Sequence, residues 1–273
     1  MKNPDRRSIH KSMKKNQKIL LGITAAAALA AAGVAIFRVK QAKKTELLQT
    51  QPLVLPNGFT MTAHAGALDT EANTPESVEA CLKFIGTGCI EVDIYFEAQQ
   101  RPVLTHDAPK AGETYPLLQD VLPIMAQYPA HINLDLKDIS NAAEIQRLGE
   151  EAGILERLFF TGVFAAQIEI VRTEAPRIPC YINDGVPANK RQDAAYLQTL
   201  AKNIRNMGAV GINLHFGDAS ALLVETMHAN GLLVSVWTVN QKADMCKMLL
   251  LGVDNITSKR PDILKNLVQN WGE

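Results

Sequence analysis

From residue 59 onward, short apolar or alternating runs trade places with amphipathic stretches, and this rhythm constrains the fold more tightly than any other property of the chain. Strand-like runs occupy residues 59–63, 90–96, 131–136, 158–161, 178–182, 209–214, 232–238 and 253–256. Helical patterns fall between them at 75–85, 141–152, 165–173, 193–207, 219–229, 241–250 and 261–269, and the first opens on Thr74 as N-cap with Pro75 in the first turn. Strands that alternate with helices predict an α/β fold with a parallel sheet, and eight such units point to a closed (β/α)₈ TIM barrel. An open doubly wound sheet is the competing arrangement. No GxGxxG or Walker sequence follows the first strand, which argues against a nucleotide-binding fold.

Ahead of this domain the chain has a different character. Residues 19–37 carry no charge and are rich in Ala, Leu and Val, close to the roughly 20 residues that cross a bilayer. Lys2, Arg6, Arg7, Lys11, Lys14, Lys15 and Lys18 precede the run, and a smaller basic cluster follows it. The expected organisation is a basic cytoplasmic leader at 1–18, a single transmembrane helix at 19–37, a linker at 38–56 and the barrel at 57–273. The heavier positive side stays in the cytoplasm, so the barrel is expected outside it. Ala27, Ala31 and Ala32 leave a cleaved signal peptide as the alternative to a retained anchor.

Lysine and arginine (28) balance aspartate and glutamate (28), leaving no long-range field to gather nucleic acid. Cys81, Cys89, Cys180 and Cys246 lack a CxxC spacing, which argues against a structural zinc site. Each lies in or beside an apolar element, as buried free thiols do, with a disulfide between a close pair as the alternative in an outward-facing domain.

Strand alternation turns the polar residues into a candidate site. Glu91 and Asp93 share one face of their strand while Ile90, Val92 and Ile94 take the other, and Asn133, Asp135 and Lys137 repeat the device on the next strand. Like charges gathered in a partly dry place are costly unless a counter-charge offsets them, and oxygen ligands without a Cys or His cluster suit a hard divalent cation, Mg²⁺ or Ca²⁺. Glu91, Asp93 and Asp135 are therefore the candidate metal ligands. His64 closes the first strand and His106 follows the hairpin-like segment 102–105, so both reach the same end. Two imidazoles with a cation and Lys137 fit acid and base roles on either side of a phosphate. Trp237 reads as a pocket wall, with core packing as its alternative; Tyr181, Phe216 and His215 are weaker candidates for the same pocket.

Taken in order, His64-x-Gly66, Asn73-Thr74, Glu91-x-Asp93, His106-Asp107, Asp135-x-Lys137, Val236-Trp237-Thr238-Val239-Asn240 and the segment from Gly252 to Asp262 resemble the glycerophosphodiester phosphodiesterases and their phospholipase C relatives. The resemblance implies a (β/α)₈ barrel that hydrolyses a glycerophosphodiester to an alcohol and glycerol 3-phosphate, with a lipid headgroup as the other candidate substrate. It implies His64 and His106 as acid and base, Glu91, Asp93 and Asp135 as ligands of a divalent cation, and Lys137 and Trp237 as substrate contacts. Three departures stand out: Ala65 replaces the family's arginine in His-Arg-Gly, Ala72 replaces the glutamate of Glu-Asn-Thr, and Asp135 stands where the family commonly has Glu. Arginine and glutamate are natural ion-pair partners, which suggests a pair lost together. A lyase forming a cyclic phosphate and a non-catalytic binding barrel are the alternatives; the acidic triad speaks against the first and the two histidines against the second.

Overall fold

The computed structural model describes residues 42–98 and 100–272 and divides the chain into two compact units, Met1–Thr50 and Gln51–Glu273. In the first unit residues 42–49 are helical. The expected leader, the apolar run 19–37 and residues 38–41 lie outside the described residues. Among the described residues no helix is long and apolar enough to cross a membrane.

Eight strands of the second unit pair in parallel around a closed circuit: β1 (Thr60–Ala63), β2 (Cys89–Phe96), β4 (His131–Leu136), β5 (Leu158–Val163), β6 (Cys180–Asn183), β7 (Gly211–His215), β8 (Leu233–Trp237) and β9 (Asn255–Ser258), with β9 returning to β1. Each coincides with one of the eight strands expected from the sequence, shifted by at most two residues at its start. The ninth strand, β3 (Pro102–Leu104), runs antiparallel to β2. Along β2, Cys89 and Ile90 pair with β1, whereas Ile94, Tyr95 and Phe96 pair with β3. The seam between β1 and β2 thus opens toward the C-terminal end of the barrel, and β3 lines the opening.

Helices follow the strands: α1 (Pro75–Ile85), α2 (Leu118–Ala126), α3 (Ala142–Glu151), α4 (Ile168–Glu174), α5 (Ala194–Asn206), α6 (Ala221–Ala229), α7 (Lys242–Leu251) and α8 (Pro261–Gln269). The side chain of Thr74 accepts from the Ser77 amide, the cap expected for α1. Helix α2 is absent from the sequence reading because Pro123 sits inside it, where it removes an amide donor and crowds the preceding turn. Leu118, Val121, Leu122 and Met125 are nevertheless fully or nearly fully buried at helical spacing, and that burial outweighs the local penalty.

The apolar core lies between strands and helices. Ile90, Val92 and Ile94 of β2, Ile132, Leu134 and Leu136 of β4, and Val234 and Val236 of β8 point outward and are at most 2 % exposed. The inward residues are largely polar. Thr60 and Thr62 of β1 both donate to Asn255 Oδ1, and the Asn255 amide donates to Ser235 Oγ at 2.9 Å. Lower in the barrel, the rings of Phe159 and Tyr181 meet with centroids 5.7 Å apart and fill the interior.

Candidate active site

Parallel register alone brings the acids together. Asp93 of β2 is the register partner of Asp135 of β4, and Asp135 is in turn the partner of Thr161 of β5. Glu91 stands two residues before Asp93 on the same inward face. The ligand oxygens of Glu91, Asp93 and Asp135 lie within 4.8 Å of one another.

Lys137, just past the end of β4, turns its ammonium back over this cluster. Its Nζ donates to Asp135 Oδ2 at 2.5 Å and lies 3.1 Å from Asp93 Oδ1. The second contact is an ion pair without an aligned hydrogen bond, so Asp93 Oδ1 is buried with no hydrogen-bond partner. Burial alone would depress the lysine's pKa, but the two aspartates outweigh it and hold the ammonium above its usual range. The other Asp93 oxygen accepts from Asn73 Nδ2 at 2.8 Å, and the Asp93 amide donates to Asn73 Oδ1 at 3.0 Å. Asn73 grips Asp93 twice from a left-handed backbone conformation at φ 61°, which asparagine tolerates better than most residues.

Thr161 extends the network. Its hydroxyl donates to Asp135 Oδ1 at 2.6 Å and lies 2.9 Å from Asn133 Oδ1. Next to it the β5–β6 register shifts at Gly162, which has φ 77° and where a Cβ would meet the Leu136 carbonyl oxygen at 2.3 Å. Only glycine fits that approach. The freed Gly162 amide donates to Asn183 Oδ1 at 3.0 Å, and the Asn213 side chain donates to the same oxygen.

Three carboxylates thus face one lysine. Burial first, then Asp135 and Asp93, push the Glu91 carboxyl well above the usual carboxylate range. That excess of negative charge, the Asp93 oxygen left without a hydrogen bond and an all-oxygen donor set fit a hard divalent cation.

His64 continues β1 by one step, its amide donating to the Ser258 carbonyl, so its ring shares the inward face with Thr62. Nδ1 lies 3.0 Å from the Ala65 carbonyl oxygen, an acceptor, which fixes the proton on Nδ1 and leaves the Nε2 lone pair free. Nε2 is 3.8 Å from Glu91 Oε1. Burial lowers the His64 pKa, against the opposing effects of the Ala65 hydrogen bond and the Asp93 charge, so the ring is neutral near pH 7. His106 differs in being exposed, its Nδ1 2.9 Å from Asp107 Oδ1. Thr105, just before it, donates its amide to the Asp93 carbonyl and thereby ties the end of β3 to β2.

A cavity of about 300 Å³ opens here, lined by His64, Glu91, His106, Asp135, Lys137 and Trp237 among others. All seven residues singled out in the sequence converge, with Asp93 behind the lining at 2 % exposure. Trp237 is 38 % exposed and meets His215 edge-on at 5.9 Å. His131 is exposed at the far end of β4, and His228 pairs with Asp254 at 2.8 Å; neither enters the site. Asn73, Thr161, Asn183 and Asn213 were not assigned roles from the sequence. Their signal was the inward parity of lone polar residues on apolar strands and, for Asn73, its place before a capped helix.

The fold and the mouth define a class, the (β/α)₈-barrel phosphoric diester hydrolases. Within that class, the chain belongs to the glycerophosphoryl diester phosphodiesterase family, whose pattern matches residues 105–263, more than half of its length. The matched segment includes His106, Asp135, Lys137 and Trp237; His64, Glu91 and Asp93 precede it. Solved structures share the fold. A candidate glycerophosphodiester phosphodiesterase from Galdieria sulphuraria is 19% identical with TM-score 0.65, covering 81% of this chain and 100% of its own. A candidate glycerophosphoryl diester phosphodiesterase from Silicibacter pomeroyi is 20% identical with TM-score 0.65, covering 81% and 95%. A phosphodiesterase from Oleispira antarctica, solved with its product sn-glycerol-3-phosphate, is 17% identical with TM-score 0.62, covering 77% and 97%. No curated protein sequence matches the chain.

Proposed function

We propose that this protein hydrolyses glycerophosphodiesters to an alcohol and glycerol 3-phosphate. The observation that carries the reading is the convergence of three buried carboxylates, an ion-paired lysine and an imidazole at the mouth of a barrel of this family. The Oleispira relative, with glycerol 3-phosphate as its product, supports the substrate class.

Each side chain has a distinct task in this reading. His64 Nε2, with its lone pair toward the cavity, takes the proton from the attacking O–H as the new P–O bond forms. His106, across the cavity, delivers a proton to the leaving oxygen as the old P–O bond breaks. Lys137 holds Asp93 and Asp135 in place and adds positive charge beside the phosphoryl oxygens. Glu91, Asp93 and Asp135 hold a divalent cation, Mg²⁺ or Ca²⁺ by their ligand chemistry, and when bound it stabilises charge on those oxygens. Trp237 walls the pocket where the alcohol or glycerol moiety lies. A phospholipase C-like lyase would not require the triad, so the triad favours hydrolysis. The same reading tethers the barrel to a membrane through residues 19–37 and places it outside the cytoplasm, on the strength of that apolar run and its basic leader.

The test is an assay of glycerophosphocholine and a panel of phosphodiesters with and without EDTA, alongside His106→Ala. Hydrolysis abolished by EDTA, restored by Mg²⁺ or Ca²⁺ and lost in the variant is the expected result. Activity indifferent to chelation sinks the metal assignment, and inactivity toward every phosphodiester sinks the reaction.

A further inference from the structure

A phosphoryl group needs positive charge on more than one side, and the mouth as described provides it on one only. Lys137 is already held by Asp135 at 2.5 Å and Asp93 at 3.1 Å, on the β2–β4 side. On the β1 side, residue 65 carries no cation. Ala65 is 5 % exposed and turns away from the mouth, toward Ser77, Val78 and Cys81 of α1, where the free space is only about 10 Å³. A long cationic side chain has no room there.

The neighbouring strand offers another cation. Ala63 of β1 is the register partner of Ser258 of β9, and the next ladder step continues past both strands, with the His64 amide donating to the Ser258 carbonyl. One residue on, Lys259 stands opposite His64. Thr257 faces inward and lines the cavity, Ser258 is fully buried, and Lys259 returns to the inward parity at the rim. Its backbone is pinned on both sides: its amide donates to Asn240 Oδ1 at 2.9 Å and its carbonyl accepts from Leu68 at 3.3 Å. The side chain is exposed, and among the described residues its ammonium has no carboxylate partner. Its charge nonetheless acts on both His64 and Glu91, favouring the neutral imidazole and the ionised carboxylate.

We infer that Lys259 is a substrate-binding residue: its ammonium holds a phosphoryl oxygen on the His64 side of the mouth, opposite Lys137, and supplies from β9 the cation that position 65 lacks. This rests on the phosphodiesterase reading above. A free ammonium on a flexible stem binds phosphate as a point charge, which suits a rim position reached after the substrate has entered.

Inorganic phosphate is the probe. Its binding is measured calorimetrically, and as competitive inhibition of glycerophosphodiester hydrolysis, for the unaltered protein, Lys259→Ala, Lys259→Glu, Lys259→Arg and a control, Lys202→Ala on exposed α5. The expected result is phosphate affinity weakened about three- to tenfold in Lys259→Ala, as for a partly exposed ion pair, and further in Lys259→Glu. Lys259→Arg restores most of it, Lys202→Ala changes nothing, and the loss of kcat/KM in Lys259→Ala appears mainly in KM. Equal phosphate affinity in the unaltered protein and Lys259→Ala overturns the inference, as does an unaltered protein that binds no phosphate. If the unaltered protein binds phosphate but cleaves no phosphodiester, the proposed reaction fails, and the calorimetric comparison still decides whether Lys259 holds the anion.

Discussion

Each barrel strand has two buried faces that behave oppositely. On β4, Ile132, Leu134 and Leu136 point outward and are at most 2 % exposed; Asn133 and Asp135 point inward and are 3 % and 9 % exposed. Burial is nearly the same on both faces, so burial does not distinguish their roles. The outward face has helices against it and removes apolar surface from water, the main favourable term in folding. The inward face trades that gain for hydrogen bonds and ion pairs, whose net contribution is small once desolvation is counted. The contrast teaches that stability and chemistry are separated here by one residue of alternation, within single strands.

The largest effects should show this separation directly. His64→Ala is expected to lower kcat/KM about 10²–10⁴-fold, the usual contribution of a positioned acid or base, while the unfolding midpoint hardly moves. Leu134→Ala, fully buried on the outer face, is expected to cost about 2–5 kcal/mol in denaturant unfolding and to leave kcat/KM nearly unchanged well below the melting temperature. Activity assays paired with urea titrations read both. If both variants lose stability and activity together, the two faces are one cooperative unit and the separation fails.

A smaller effect sharpens the cost of the inner face. Burial and the neighbouring aspartates raise the Glu91 pKa above its ordinary value of 4.5. A carboxyl that holds its proton more tightly folded than unfolded is ionised more readily in the unfolded chain. Its contribution therefore destabilises the cation-free fold as pH rises above the unfolded value, and that loss is relieved as pH falls toward it. Glu91→Gln removes the charge and keeps the shape. In EDTA at neutral pH it should raise the melting temperature by a few degrees, at about 2–4 °C per kcal/mol for a domain of this size, while abolishing hydrolysis. A melting temperature that falls in EDTA would mean that the acids are mutually satisfied without a cation.

The two faces also differ in how readable they are from sequence. The outward face announces itself by period-two apolar patterning, so the eight parallel barrel strands and seven of the eight helices around them follow from local rules. The eighth helix, α2, does not, because Pro123 opposes it locally and only tertiary burial of Leu118, Val121, Leu122 and Met125 overrides that. On the inward face the charged residues and histidines were legible because ionisable groups are costly inside a barrel. Asn73 and Thr161 were not. Their roles depend on pairings 20 and 26 residues away, Asn73 with Asp93 and Thr161 with Asp135, set by register and by the shift at Gly162. Lys259 was overlooked for a related reason: an exposed lysine beyond a strand end gains meaning only when the partner strand places it opposite His64.

The smallest effect expected is no change at all, and it separates burial from polarity. Cys89 lies on the inward face of β2, two residues before Glu91, and Cys180 shares the outward parity of β6, one residue before inward Tyr181. All four cysteines are free and buried. Burial is the leading cause that pushes both thiols up to about 12, even though the inward one also feels Thr62 and the outward one Arg172. At pH 8 the thiolate, which is the reactive form, is then about 10⁻⁴ of either thiol. Both should be silent to a disulfide reagent in the native protein and react only on denaturation, at equal rates. Faster native reaction of Cys89 would mean that water from the mouth reaches down the inner face past Glu91. The polar interior would then be a wet channel, and its hydrogen bonds would contribute less than a sealed barrel allows.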